Sequence, residues 1–171
     1  IAFVLSNRKA AYALERARAR GVETAVLSNV MEPDPVRRDE KLLEMLRARG
    51  IQVVALAGYL GILGEKTVSA YENRIVNIHP ALIPSFCGKG YYGLRVHEAA
   101  LARGVKVTGA TAHLVNLGVD EGPILLQKAV DVLPGDTPET LQKRVMEEAE
   151  WKLLPAAVDM VCQWAEEEET L

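Results

Sequence analysis

Three residue types suited to moving protons and steadying negative charge fall close to turns in this chain: Asn77 and His79, two apart, and Asp120, forty-one residues after the histidine. Asn77 and His79 lie where the apolar run Arg74-Ile75-Val76-Asn77-Ile78-His79 ends at Pro80. Residues i and i+2 leave the same face of a strand, so both side chains can address one reacting group. Asp120 sits in Gly118-Val119-Asp120-Glu121-Gly122-Pro123, a sequence built for a turn. An imidazole titrates near neutrality, and a carboxylate hydrogen-bonded to it holds it protonated, ready to stabilise an oxyanion or pass a proton. The same spacing also suits a strand-terminal Asn and His that merely cap the turn before Pro80.

These residues need a scaffold, and the chain has the means to build one. With 171 residues, 49% hydrophobic and 25% charged, it is long enough to bury a substantial core and reads as one globular domain over 1–171. A net charge of −3 argues against a dominant nucleic-acid surface and favours a small-molecule ligand. The longest apolar stretch, Val53 to Leu63, is too short and too interrupted by glycine to cross a bilayer, so no membrane partner is expected. Cys87 and Cys162 match no zinc or redox spacing and read as free thiols of a cytoplasmic protein.

The pattern along the chain alternates. Ile1 to Leu5 reads as a buried strand that starts without a methionine, which suggests a missing upstream segment. Lys9 to Arg20 has helical spacing and stops at Gly21; Val22 to Leu27 is a short strand. Asp34-Pro35 opens a helix that runs to Gly50, with Asp34 as N-cap. Ile51 to Ala57 reads as a strand buried on both faces, and Lys66 to Tyr71 as a short helix before the strand that carries Asn77 and His79. From Lys106 the rhythm changes: Thr108 to Val115 and Ile124 to Val132 form an antiparallel pair joined by the turn that bears Asp120. Thr137 then caps a long closing helix, which Pro155 is expected to break or kink, and Glu166 to Glu169 read as a solvated tail. The expected fold is α/β: an open, mostly parallel twisted sheet with helices on both faces and an antiparallel C-terminal strand pair, Rossmann-like. Ligands in such folds bind at the carboxyl ends of strands, where Gly58 and His79 fall.

The segments Asn77-Ile78-His79-Pro80-Ala81-Leu82-Ile83-Pro84, Thr108-Gly109-Ala110-Thr111-Ala112-His113-Leu114-Val115 and Val119-Asp120-Glu121-Gly122-Pro123-Ile124-Leu125-Leu126-Gln127 together resemble the folate-dependent formyltransferases. Ser6-Asn7-Arg8, Leu14-Glu15-Arg16-Ala17 and Ala57-Gly58-Tyr59-Leu60 extend the resemblance, in order, over nearly the whole chain. It is strongest to the branch that formylates glycinamide ribonucleotide in purine biosynthesis.

The resemblance implies formyl transfer from 10-formyltetrahydrofolate to the amine of glycinamide ribonucleotide, with Asn77, His79 and Asp120 catalytic and no metal. It implies a pteridine pocket lined by Leu60, Gly61, Ile62 and Leu63 and by Asn116, Leu117, Gly118 and Val119. Gly58 and Pro80 fall near the ribonucleotide, and Glu150 near its ribose. Two departures accompany it. Trp151 replaces a usual histidine, and the stretch from Val145 to Pro155 is one residue longer than the family's. The family's first strand and its glycine- and serine-rich phosphate loop would precede Ile1. Gly88-Lys89-Gly90 does not replace that loop, since it lacks the spaced glycine and following hydroxyl of a Walker A sequence; Phe86 to Gly93 read as a flexible loop over the site.

Several rivals stay open on sequence. Cys87 could serve as a nucleophile, and His79, His97 and His113 could be grouped as zinc ligands, although no helical pairing or cysteine supports that set. His113 suits either orientation of Asp120 or plain packing. A formyltetrahydrofolate hydrolase or an inactive folate- or nucleotide-binding module would share many of these residues, and a monomer or a homodimer fits equally.

Overall fold

The computed structural model describes residues 1–169. Its contacts divide the chain into two compact units, one of residues 1–52 and 59–71, the other of residues 53–58 and the chain from residue 72 onward.

The first unit contains two parallel strands, β1 (Phe3–Ser6) and β2 (Glu23–Val26), with α1 (Tyr12–Arg18) as their crossover. Helix α2 (Pro35–Arg47) starts where the sequence predicts, because Asp34 accepts hydrogen bonds from the N–H groups of Val36 and Arg37 and Pro35 needs no partner in the first turn. Asp39, buried on α2, reaches across to accept from Lys66 N at 2.9 Å and so holds the start of α3 (Glu65–Ala70). A helix N-terminus exposes N–H groups, and a carboxylate is the natural group to meet them.

The second unit has a four-stranded mixed sheet in the order β3-β4-β5-β6, comprising β3 (Val54–Leu56), β4 (Ile75–His79), β5 (Val107–Leu114) and β6 (Ile124–Asp131). β3 runs parallel to β4, while β4–β5 and β5–β6 are antiparallel. The fold is thus α/β with parallel strands and an antiparallel C-terminal portion. Helix α4 (Leu94–Arg103) joins β4 to β5 and stops at Gly104, whose φ of 73° is the left-handed cap that glycine adopts without strain.

Alternation along β4 and β5 separates core from site. Val76 and Ile78 of β4 and Ala110, Ala112 and Leu114 of β5 pack with Leu141, Val145, Ala149, Ala157 and Val161 of the closing helices. The interleaved Asn77, His79, Thr111 and His113 must then face the other side of the sheet. One face of each strand therefore packs the core, and the other carries Asn77, His79, Thr111 and His113.

Three expectations are corrected. The run from Ile51 to Ala57 forms a strand over only Val54–Leu56, with Ala55 exposed, and not a strand buried on both faces. It is bonded along one side alone, to Ile75–Asn77, because apolar composition does not choose the number of neighbours. Pro155 does not end the closing helix either: it lies inside α6 (Trp151–Glu169). The irregularity comes earlier, as a π-helical turn over Met146–Glu150 that continues α5 (Pro138–Val145). A π turn holds one more residue than an α turn. The acidic end is helical through Glu169, with Glu168 paired to Arg74 at 2.7 Å, so this part of the expected tail is ordered.

Candidate active site

Asn77 and His79 end β4, and β5 brings His113 directly opposite Asn77 in the ladder. A register irregularity between Ala112 and His113 leaves Leu125 as the extra residue of a bulge in the facing strand β6, and bulges are common beside active sites. The turn after β5 then folds back over the strand end. Gly122 permits this, since a Cβ there would meet Leu114 O at 1.8 Å. At its apex Asp120 has φ 59°, a left-handed conformation that aspartate tolerates better than most residues.

This path delivers the Asp120 carboxylate between two imidazoles. Its Oδ2 lies 3.5 Å from His79 Nδ1, and its Oδ1 lies 3.7 Å from His113 Nε2. Both histidines are buried. Burial alone would raise the Asp120 pKa, but the His113 imidazole, the Gly88 N–H and His79 overcome it and hold the carboxyl below its ordinary value. The Gly88 amide donates to Asp120 Oδ2 at 2.9 Å. At 3.7 Å the contact between His113 Nε2 and Asp120 Oδ1 is longer than an ordinary hydrogen bond.

The far side of His79 is also occupied. Its Nε2 lies 2.8 Å from the carbonyl oxygen of Phe86. A carbonyl only accepts, so Nε2 carries the proton and His79 presents an N–H on that side. Phe86 has φ 50°, a sparsely populated conformation for an aromatic residue, which aims its carbonyl at the imidazole. The loop that begins here therefore engages His79 and Asp120 through main-chain groups. Side-chain types could not have announced these contacts, and sequence reading missed both.

The other expected residues fall in several places. Gly58 follows β3 with φ 65° and open space beside its Cα, and Pro80 follows His79 directly. Leu117 and Val119, in the turn leading to Asp120, are exposed, while Asn116 Oδ1 accepts from Gly118 N at 3.0 Å and shapes that turn. Leu60 and Ile62 are exposed. They belong to the first unit with Gly61 and Leu63, and Leu63 lines a cavity of about 350 Å³ there with Leu5, Leu27, Arg38 and Tyr59. Glu150 ends the π turn, and burial pushes its carboxyl up to about 7.

The rival sites gain no geometric support. Among the described residues, no group of three or more His, Cys, Asp or Glu is arranged to hold a metal ion. Burial and the negative charge of Asp120 push the Cys87 thiol up, away from the thiolate a nucleophile requires. His97 is wholly buried, and burial with the nearby His79 pulls it down to about 4, leaving it neutral. No helix among the described residues is long and apolar enough to cross a membrane.

Comparison with known proteins places this geometry in a family. The family profile described as "Formyl transferase" matches residues 1–158. A chloroplastic phosphoribosylglycinamide formyltransferase of Arabidopsis thaliana is 42% identical over 164 residues, covering 95% of this chain and 56% of its own length. The Bacillus subtilis phosphoribosylglycinamide formyltransferase is 33% identical over 157 residues, covering 92% of this chain and 77% of its own. The crystal structure of glycinamide ribonucleotide transformylase 1 from Symbiobacterium toebii superposes with a TM-score of 0.86 at 45% identity, covering 92% of this chain and 72% of that one. This chain spans little more than half of the Arabidopsis relative's length. The profile match over most of the sequence and the Bacillus relative's coverage show that the chain belongs to the formyl transferase family.

Proposed function

We propose that this chain transfers a formyl group from 10-formyltetrahydrofolate to the primary amine of glycinamide ribonucleotide, a step of purine biosynthesis. The observation that carries the reading is Asp120 beside His79 at the end of the strand that also bears Asn77, in a member of this family. The names of the Arabidopsis and Bacillus relatives support glycinamide ribonucleotide as the acceptor. Because the family match over residues 1–158 runs through both compact units, we read the chain, 1–171, as one functional domain.

In this mechanism the amine attacks the formyl carbon, and negative charge develops on the formyl oxygen. The Nε2–H of His79 and an Nδ2–H of Asn77 stabilise that charge, and the Asp120 carboxylate faces the other ring nitrogen of His79. The amine loses a proton as the departing folate nitrogen gains one, with Asp120 relaying protons through water. Holding both substrates in line lowers the barrier further, and the reaction is balanced without a metal. Leu60, Gly61, Ile62 and Leu63, with Asn116, Leu117, Gly118 and Val119, are assigned to the pteridine; Gly58, Pro80 and Glu150 are assigned to the ribonucleotide. The exposure of Leu60, Ile62, Leu117 and Val119 supports a role in contacting a ligand. The free thiols Cys87 and Cys162 suit the reducing cytoplasm as the compartment.

Product analysis tests the proposal. Tetrahydrofolate release should depend on glycinamide ribonucleotide and match its formylated product mole for mole. Rapid formate release that ignores the ribonucleotide would identify a hydrolase, and binding without turnover would identify an inactive binding module.

A further inference from the structure

His113 touches the proposed machinery from behind, and its hydrogen-bonding state follows from its neighbours. The ring is buried, with 2% of its surface exposed, so these neighbours and not solvent set its protons. Its Nδ1 lies 2.8 Å from the carbonyl oxygen of Leu114. A carbonyl can only accept, so Nδ1 carries a proton. Two groups then compete for Nε2. Asn77 Nδ2 is 3.1 Å away, within hydrogen-bond range, whereas Asp120 Oδ1 is 3.7 Å away and outside it. The shorter contact selects a bare Nε2 that accepts from Asn77.

We propose that His113 is a positioning residue whose Nε2 accepts one Nδ2–H of Asn77 and thereby fixes which end of that amide faces the reacting carbonyl. An amide can turn over at little cost in shape, exchanging its donor end for its acceptor end. Turned over, Asn77 would set its Oδ1 against the lone pair of Nε2, and two buried acceptors in contact are unfavourable. The allowed orientation leaves the second Nδ2–H free for the formyl oxygen. The β4–β5 register supplies the arrangement, because Asn77 and His113 are cross-strand partners. This role rests on the proposed formyl transfer, but the bond itself does not.

Two substitutions separate positioning from packing. His113→Gln extends an acceptor to the position of Nε2 and gives up the bond to Leu114 O. His113→Asn keeps a donor within reach of Leu114 O and gives up the acceptor toward Asn77. Positioning requires the Gln variant to keep most of kcat and the Asn variant to lose roughly 10- to 100-fold in kcat, with KM for both substrates little changed. A purely structural role requires the opposite order, and that order, or equal losses, would overturn the proposal. Nitrogen-15 shifts of the labelled imidazole in the unsubstituted protein give a readout independent of activity. They should report a protonated Nδ1 and a bare Nε2 for His113; a proton on Nε2 would equally overturn it. If the unsubstituted protein transfers no formyl group, the functional reading fails, while the nitrogen-15 spectrum still decides the bond.

Discussion

Asp120 Oδ2 stands 3.5 Å from His79 Nδ1, reaching it from a backbone turned to φ 59° at the apex of the turn after β5. Strain of this kind costs on the order of 1 kcal/mol and persists where the surroundings enforce it. Here the Gly88 N–H bonded to the same oxygen and the close seating of Gly122 on Leu114 enforce it. The chain accepts local strain to place a charge.

Removing that charge while keeping its shape is the most direct test. Asp120→Asn can still accept from Gly88 N but no longer holds a charged imidazole or relays protons. We expect kcat to fall by about 10²- to 10⁴-fold, with the thermal unfolding curve little moved. Turnover close to that of the unsubstituted protein would remove Asp120 from the mechanism.

His79→Ala and Asn77→Ala remove the two donors assigned to the developing oxyanion. Loss of one such donor typically costs about 10²- to 10³-fold in kcat. Steady-state kinetics should show that loss chiefly in kcat. A rise in KM alone would mean that each residue binds substrate and transition state equally, which is no catalytic role.

The side chains that converge at this site were legible in sequence because their types are few and their punctuation is strong: a strand ending at Pro80 and a turn framed by Gly118, Gly122 and Pro123. Helix starts were equally legible, since Asp34 and Thr137 cap through their own side chains. What sequence could not convey depends on partners distant along the chain. The extent of β3 is set by its pairing with β4, and the bonds from Phe86 O and Gly88 N use groups that every residue has. The π turn over Met146–Glu150 was visible only as one surplus residue, without a sign of where it would be accommodated.

Those main-chain bonds have a consequence for turnover. The His79 N–H required by the formyl oxygen is already given to Phe86 O at 2.8 Å, so the oxygen must displace that carbonyl. Binding of a folate analogue with glycinamide ribonucleotide should loosen the loop, and amide hydrogen exchange over residues 86–90 should become faster than in the free protein. Unchanged or slower exchange would mean that the loop stays closed and that His79 meets the substrate by another route.

Glu150 supplies the last expectation, through its proton. Burial raises its carboxyl to about 7, above the ordinary glutamate value of 4.5. A folded-state value above the unfolded one means that the folded protein binds more protons between the two. Stability is therefore greatest below about pH 4.5 and declines as pH rises toward about 7. Glu150→Gln removes this slope, so the variant should match the unsubstituted protein at low pH and exceed it above neutrality, by about 1 kcal/mol after allowing for partial exposure. Ligand binding should run the other way. If the ionised carboxylate accepts hydrogen bonds from the ribose hydroxyls, affinity for glycinamide ribonucleotide should increase through neutral pH, by at most about tenfold per pH unit. Calorimetric titrations across that range should show a component of the pH dependence that Glu150→Gln abolishes. Identical pH profiles for the two proteins would place the ribose elsewhere and leave Glu150 as a buried acid at the end of the π turn.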